Sequence, residues 1–311
     1  AMIVVDLSGS MKWNPPGDHD WWNYPTKPYS NPACEGPFYD DQSVPGYTSY
    51  CSRFEIARKT LFNILDDNHN GTISNQDETS LNIRIGLGKF QGSAYAKLRD
   101  IGTKYSLIYC GSNQSCTVDQ VSGDYSSINY WMSYTNVVGA TPLVTGLAAV
   151  KTYLDDHKAS DNYRSCRQKF VILVSDGADT MCCSGTGYDT QADQYKRRRE
   201  SVLAARTLAQ AGYKVFVIGM GSNMPDQLKR TLNWMAYYGG TDNPLVANEG
   251  DEAAFDPGAV TSCGSSSTTG NCDGWHDDCF ATSNDPGTME LSGYAFLANS
   301  ATELEAAFRQ A

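Results

Sequence analysis

The chain has 311 residues, 41% of them hydrophobic and 11% aromatic, enough apolar material for one large domain or two ordinary ones. Asp and Glu number 35 against 24 Lys and Arg, and the net charge of −11 argues against a nucleic-acid backbone as partner and in favour of cations. No apolar run approaches the roughly 18 residues that a membrane-spanning helix needs, so no membrane span is expected.

The first element is an apolar run from Met2 to Val5 that reads as a buried strand and stops at "DLSGSM". The chain opens inside this run, with no turn, cap or signal peptide ahead of it, as expected of a processed piece of something longer. Residues 12–52 are crowded with Trp, Tyr and Pro and carry Cys34 and Cys51; they read as an insertion. Within it, "HDWWNYPTKPY" is either a contact surface or the small core of that insertion. A helix is expected over Arg53–Leu65, then a strand over Ile83–Phe90. A second insertion, 91–136, holds Cys110 and Cys116.

"GATPLVTG" opens a helix over Pro142–Leu154, and "FVILVSDG" holds a β-branched strand over Phe170–Val174 that delivers Asp176 just beyond it. The helix expected over Gln191–Ala211 contains the basic run Lys196–Arg199, which reads as a solvated face. A strand over Lys214–Gly219 and a helix over Asp226–Tyr238 follow, then a third insertion, 249–293, with "GSSSTTGN" and three cysteines. Tyr294–Ala298 is the last strand. Ser300 and Glu303 form a capping box for a closing helix. Strands alternating with helices predict an α/β fold: a doubly wound, mostly parallel sheet flanked by helices, in one domain over 1–311.

Ten cysteines lie at Cys34, Cys51, Cys110, Cys116, Cys166, Cys182, Cys183, Cys263, Cys272 and Cys279, mostly in loop-like stretches and without zinc-ribbon spacing. They read as disulfides, hence as a protein exported through an oxidising compartment. Short loops favour Cys34 with Cys51, Cys110 with Cys116, and Cys272 with Cys279. The adjacent Cys182 and Cys183 are not expected both to serve as long-range partners.

In open α/β sheets ligands bind beyond the carboxyl ends of the strands. Asp6, Ser8 and Ser10 follow the first strand, Asp176 follows "FVILVS", and Thr141 precedes a helix. Two carboxylates and three hydroxyls at one sheet edge make an all-oxygen set for a hard divalent ion. The alternative is that Asp6 is a turn carboxylate and the serines are helix caps.

The pattern D-x-S-x-S, a later Thr and a later S-D-G resembles the von Willebrand factor type A domain with its metal-ion-dependent adhesion site. The resemblance covers most of the chain once the insertions are set aside. It implies that Ser8, Ser10 and Thr141 ligate Mg2+, or Mn2+ or Ca2+, directly, with Asp6 and Asp176 holding it directly or through water. "RFEIARKTL", "GATPL" and the closing "ATELEAAFRQ" are similar to bacterial type A domains, including those of type IV pilus tip adhesins of the PilC/PilY type. That resemblance implies an extracellular, cell-surface or pilus-tip location. Its expected partner is a protein or glycan on a host or neighbouring cell, or another pilus component. A structural or assembly role, with metals and disulfides serving rigidity, is the alternative.

A second metal signal is "DDNHNGTISNQDE", residues 66–78. As an EF-hand-like loop it places Asp66, Asn68 and Asn70 at positions one, three and five, Gly71 at the sharp turn, the Thr72 carbonyl at seven, Ser74 at nine and Asp77 at twelve. Asp at twelve resembles dockerin-type Ca2+ loops, with Glu78 a substitute ligand; His69 is expected to face solvent. The other reading is a plain Asn/Gly-rich turn. No nucleophile elbow, zinc-protease motif or phosphate loop is present, and the four histidines form no catalytic constellation, so no enzyme is expected.

Overall fold

The computed structural model describes residues 1–12, 53–70, 75–81, 83–91, 94–99, 101, 140–177, 179–183, 191–221, 224–272 and 278–311. The aromatic cluster at 19–29, Cys34, Cys51, Cys110, Cys116, Thr72 and Ser74 lie outside the described residues. So do the pairings expected for the first four of those cysteines.

Six strands form the main sheet: β1 (Met2–Asp6), β2 (Gly86–Gln91), β3 (Ala94–Arg99), β4 (Lys169–Ser175), β5 (Tyr213–Met220) and β10 (Phe296–Ala298). Their order is β10-β5-β4-β1-β2-β3; the first five are parallel, and β3 returns antiparallel on β2. Helices α1 (Arg53–Leu65), α2 (Asn75–Leu81), α3 (Leu143–Ser160), α4 (Gln194–Gln210), α5 (Asp226–Tyr238) and α6 (Ala301–Gln310) supply the crossovers and flanks. The doubly wound sheet is as expected. Strand β3 is not: it lies within the stretch read as an irregular insertion.

Period-two alternation explains the two faces. Ile3 and Val5 of β1 join a core with Ile56, Leu61, Leu304 and Phe308 from α1 and α6. Met2 and Val4 join the opposite core with Leu147 of α3, Val202 of α4 and Trp234 of α5. All five β1 residues are buried, which is why the strand reads as a continuous apolar run rather than as an alternation. Each such Val or Ile contributes about 2 kcal/mol of burial. Helix α6 starts as its sequence requires: Ser300 Oγ accepts the Glu303 N–H at 3.2 Å, and Glu303 reaches back to the Asn299 N–H at 2.6 Å.

The described residues of the third insertion pack against α4 and α5 and contain two small antiparallel sheets. These are β6 (Glu249–Gly250) with β9 (Leu291–Ser292), and β7 (Thr268–Gly270) with β8 (Cys279–Ala281). This docking corrects the reading of Lys196–Arg199 as a solvated face. Arg197, Arg198 and Arg199 are all buried. Arg198 grips Asp285 with two nitrogens at 3.0 and 2.8 Å and donates to the Cys279 carbonyl at 2.7 Å. Arg199 donates to Ser266 Oγ and the Gly264 carbonyl, and Arg197 to the Cys182 carbonyl. A guanidinium can enter a core when its donors are matched in this way.

Disulfides join Cys183 to Cys263 and Cys272 to Cys279. Cys166 and Cys182 are free thiols, which corrects the expectation that every cysteine is bridged. Cys166 is exposed on the turn before β4, at the opposite end of the strands from Cys182. Cys182 adjoins a cysteine whose bridge is already made. No helix among the described residues is long and apolar enough to cross a membrane.

Candidate metal site at the switch point

From β1 the chain runs outward through β2 and β3, then restarts at β4 on the other side of β1. The carboxyl ends of β1 and β4 therefore flank the point where strand order reverses, the usual place for a ligand in such sheets. Asp6 is the last residue of β1 and Asp176 the first beyond β4. Parallel register pairs Val5 with Val174 and so sets Asp6 beside Ser175.

The side chains converge through a short hydrogen-bond chain. Asp6 Oδ1 accepts the Ser8 N–H at 2.7 Å, and Asp6 Oδ2 accepts the Ser175 hydroxyl at 2.8 Å. Ser8 Oγ lies 3.1 Å from Ser10 Oγ, and Ser10 Oγ donates to Asp176 Oδ1 at 2.9 Å. The turn that aims both hydroxyls inward is a short 3-10 segment, Gly9–Lys12, held by the Met11 N–H on the Ser8 carbonyl. Asp6, Ser8 and Asp176 are buried and Ser10 is partly so. Four of the five expected ligands are thus one connected group.

The fifth, Thr141, reaches this edge by a separate device. Its N–H donates to Thr180 Oγ1 at 2.8 Å and its carbonyl accepts the Thr180 N–H at 3.0 Å. Asp179 completes the clamp: Oδ2 accepts the Val144 N–H in the first turn of α3, and Oδ1 accepts the Met181 and Cys182 N–H groups. Thr141 is buried, and among the described residues its hydroxyl makes no hydrogen bond to the other four. Asp179 and Thr180 follow Asp176 closely in the sequence, yet their partners lie about forty residues upstream, so no local pattern announces them.

Burial, reinforced by the nearby Asp176 charge, pushes the Asp6 carboxyl up to about 7 against the pull of its Ser8 and Ser175 hydrogen bonds. Burial also raises Asp179, opposed by the three backbone N–H groups that it accepts. One basic group is already present. Arg53, the first residue of α1, donates from Nη1 to Asp176 Oδ2 at 2.5 Å.

This donor set suits a hard divalent ion: all oxygen, two carboxylates that disfavour each other's charge, and hydroxyls already directed at one another. Among the described residues, three sulfurs, those of Cys182, Cys183 and Cys263, also lie within 4.8 Å of one another. Two of them are joined in a disulfide, so that cluster is not a thiolate metal site.

In the 66–78 loop, Asp66 and Asp77 are buried. The Asn70 N–H donates to Asp66 Oδ1 and to Asn68 Oδ1, and the Asn68 N–H to Asp77 Oδ1, each at 3.1 Å. The first and twelfth positions therefore close on the same turn, and His69 faces solvent.

No protein-family profile matches the chain, and no curated protein matches its sequence. Among solved structures it is similar to the manganese-loaded TRAP protein of Plasmodium vivax: 16% identity over 75% of this chain and 61% of that chain, with TM-score 0.38. It is also similar to the D319A mutant of the PilB minor pilin from Streptococcus sanguinis, at 14% identity over 99% of this chain and 59% of that chain, with TM-score 0.49. The pilus adhesin SpaC from Lactobacillus rhamnosus GG is similar at 14% identity over 99% of this chain and 30% of that chain, with TM-score 0.44. The chain spans less than two thirds of each of these proteins. At such identities the functional reading rests on the site itself.

Proposed function

We propose that this chain is an extracellular, type A-like adhesion module that holds a divalent ion with Asp6, Ser8, Ser10, Asp176 and Thr141 and captures an acidic group of a partner. The observation that carries this reading is the connected Asp6–Ser8–Ser10–Asp176 group at the strand-order reversal. When bound, an ion such as Mg2+ supplies positive charge that neutral hydroxyl ligands leave uncompensated, and so an attraction for a carboxylate.

The chain's own residues do the rest. Asp6 and Asp176 would provide the negative charge, and Ser8 and Ser10 would offer the ion their hydroxyl oxygens. The Thr141–Thr180 and Asp179–Val144 contacts fix the loop that carries Thr141. Binding rather than catalysis is the proposed outcome, with residues 66–78 a separate, structural Ca2+ loop. The two disulfides fit an oxidising compartment.

The test is retention on surfaces coated with polyglutamate or polyglutamine, in Mg2+ or in chelator. Retention by polyglutamate alone, in Mg2+ alone and lost in Ser10→Ala, is expected. Equal retention in chelator would refute capture through an ion, since a chain of net charge −11 has no other reason to bind an acidic polymer.

A second reading, a load-bearing or assembly role, is favoured by one observation. The loop following Asp176 is tied through Cys183–Cys263 to the third insertion. Assembly that survives Ser10→Ala but fails on reduction would support it.

A further inference from the structure

Arg53 has no place in the expected ligand set, yet it is ion-paired to one of its carboxylates. It is buried, its Nη1 lies 2.5 Å from Asp176 Oδ2, and the pair has side-chain exposures of 6% and 0%. Asp176 Oδ1 is taken by the Ser10 hydroxyl. Both oxygens of the Asp176 carboxylate are therefore occupied by donors of the chain itself.

The position of the guanidinium is also built in. It lies against Gly221, the residue after β5, whose φ is +133° and whose N–H donates to the Ala298 carbonyl at 3.2 Å. A Cβ at Gly221 would stand 2.9 Å from Arg53 Nη2, 3.2 Å from Cζ and 3.3 Å from Nε. Only a residue without a side chain leaves room for the guanidinium at that spot, and only glycine adopts that backbone conformation without strain. Arg53 is thus held between the ends of β4 and β5 by two features more than a hundred residues away from it in sequence.

We infer that Arg53 is a tethered cation that competes with the divalent ion for Asp176 and so sets the ion affinity of the site, an inference that rests on the metal-site reading above. Without an ion, Arg53 offsets one of two buried carboxylates and lets the site persist with Ser10 hydrogen-bonded to Asp176. For an ion to engage Asp176, Arg53 must give up Oδ2 or remain as a like charge a few ångströms away. Either course weakens ion binding. A guanidinium that stays nearby also adds positive charge beside the ion, so affinity for the ion is exchanged for attraction to an acidic group.

The experiment is Mn2+ and Mg2+ titration by calorimetry on chelator-stripped full chain, comparing wild type, Arg53→Met and Arg53→Lys. The account predicts that Arg53→Met binds Mn2+ about tenfold or more tightly, because a competing charge is gone. Arg53→Lys, which keeps the charge, should stay near wild type. Loss of a merely structural arginine would weaken binding in step with thermal stability, so the melting temperature in chelator is recorded alongside. Unchanged or weaker Mn2+ binding in Arg53→Met, with wild type still binding, would overturn the competition and leave the metal site intact. No binding by wild type would overturn both.

Discussion

The most demanding consequence of the site concerns the metal-free protein. Asp6 is fully buried beside Asp176, and its carboxyl stands at about 7 instead of 3.8. Between pH 4 and pH 7 the folded chain therefore keeps a proton that the unfolded chain has released. The stability this represents is complete below about pH 4 and is lost as pH rises through 7. The move from 3.8 to about 7 corresponds to roughly 4 kcal/mol, and roughly 3 kcal/mol of it falls between pH 5 and 8.

Asp6→Asn removes the proton without removing the shape, since an amide can still accept from Ser8 and pair with the rotatable Ser175 hydroxyl. Urea denaturation in chelator at steps from pH 5 to 8 gives the difference between the two proteins. Most other groups cancel in that difference, among them Asp161, whose carboxyl Lys169 holds down at about 2. The expected result is a wild type that loses stability relative to Asp6→Asn as pH rises, and an added divalent ion that restores it. A difference that is flat across the window, or one that favours wild type at pH 8, would refute the claim that burial, reinforced by Asp176, raises the Asp6 carboxyl here.

Four further outcomes follow from the packing. Arg198→Met leaves Asp285 buried without its bidentate partner and should cost about 3–5 kcal/mol in urea denaturation, with faster hydrogen exchange across 249–293. Cys182 Sγ lies 3.4 Å from Cys183 Sγ and 3.9 Å from Cys263 Sγ. Cys183→Ser folded under oxidising conditions should therefore show a Cys182–Cys263 peptide by mass mapping, whereas two free thiols there would contradict the geometry. In the native wild type, exposed Cys166 should react with maleimide well before Cys182, whose thiol burial pushes up to about 12. Ser300→Ala removes the α6 cap and should lower stability by about 1 kcal/mol, read as a shift in urea midpoint.

Much of this molecule was legible because its determinants are local. Helices α1 and α5 begin and end where their apolar spacing says they should, at Arg53–Leu65 and Asp226–Tyr238. Asp6, Ser8 and Ser10 could be read as a candidate site because all three oxygens follow directly on one buried strand, within five residues of sequence. The readings that failed depended on partners far away in the chain. Arg198 and Arg199 look like a solvated face until Asp285, Ser266 and the Gly264 carbonyl fold over them from 65 to 87 residues downstream. Arg53 reads only as a helix start, since its carboxylate lies 123 residues on. The same holds for Thr180 and Asp179, whose clamp on the Thr141 loop is set by the sheet rather than by any motif. Cys166 was read as bridged because loop placement says nothing about which end of the strands a thiol occupies.

The central claim is that Asp6, Ser8, Ser10 and Asp176 together hold a divalent ion. It is tested most directly by Mn2+ calorimetry on chelator-stripped chain, with Asp66→Ala present throughout to silence the 66–78 loop, and Asp176→Ala or Ser10→Ala added. Ser10→Ala is included because Asp176→Ala also strands the buried Arg53 charge. One Mn2+ per chain is expected in the Asp66→Ala background, lost with Asp176→Ala and weakened at least tenfold with Ser10→Ala. Binding that survives both substitutions, or no binding in the background, would contradict it.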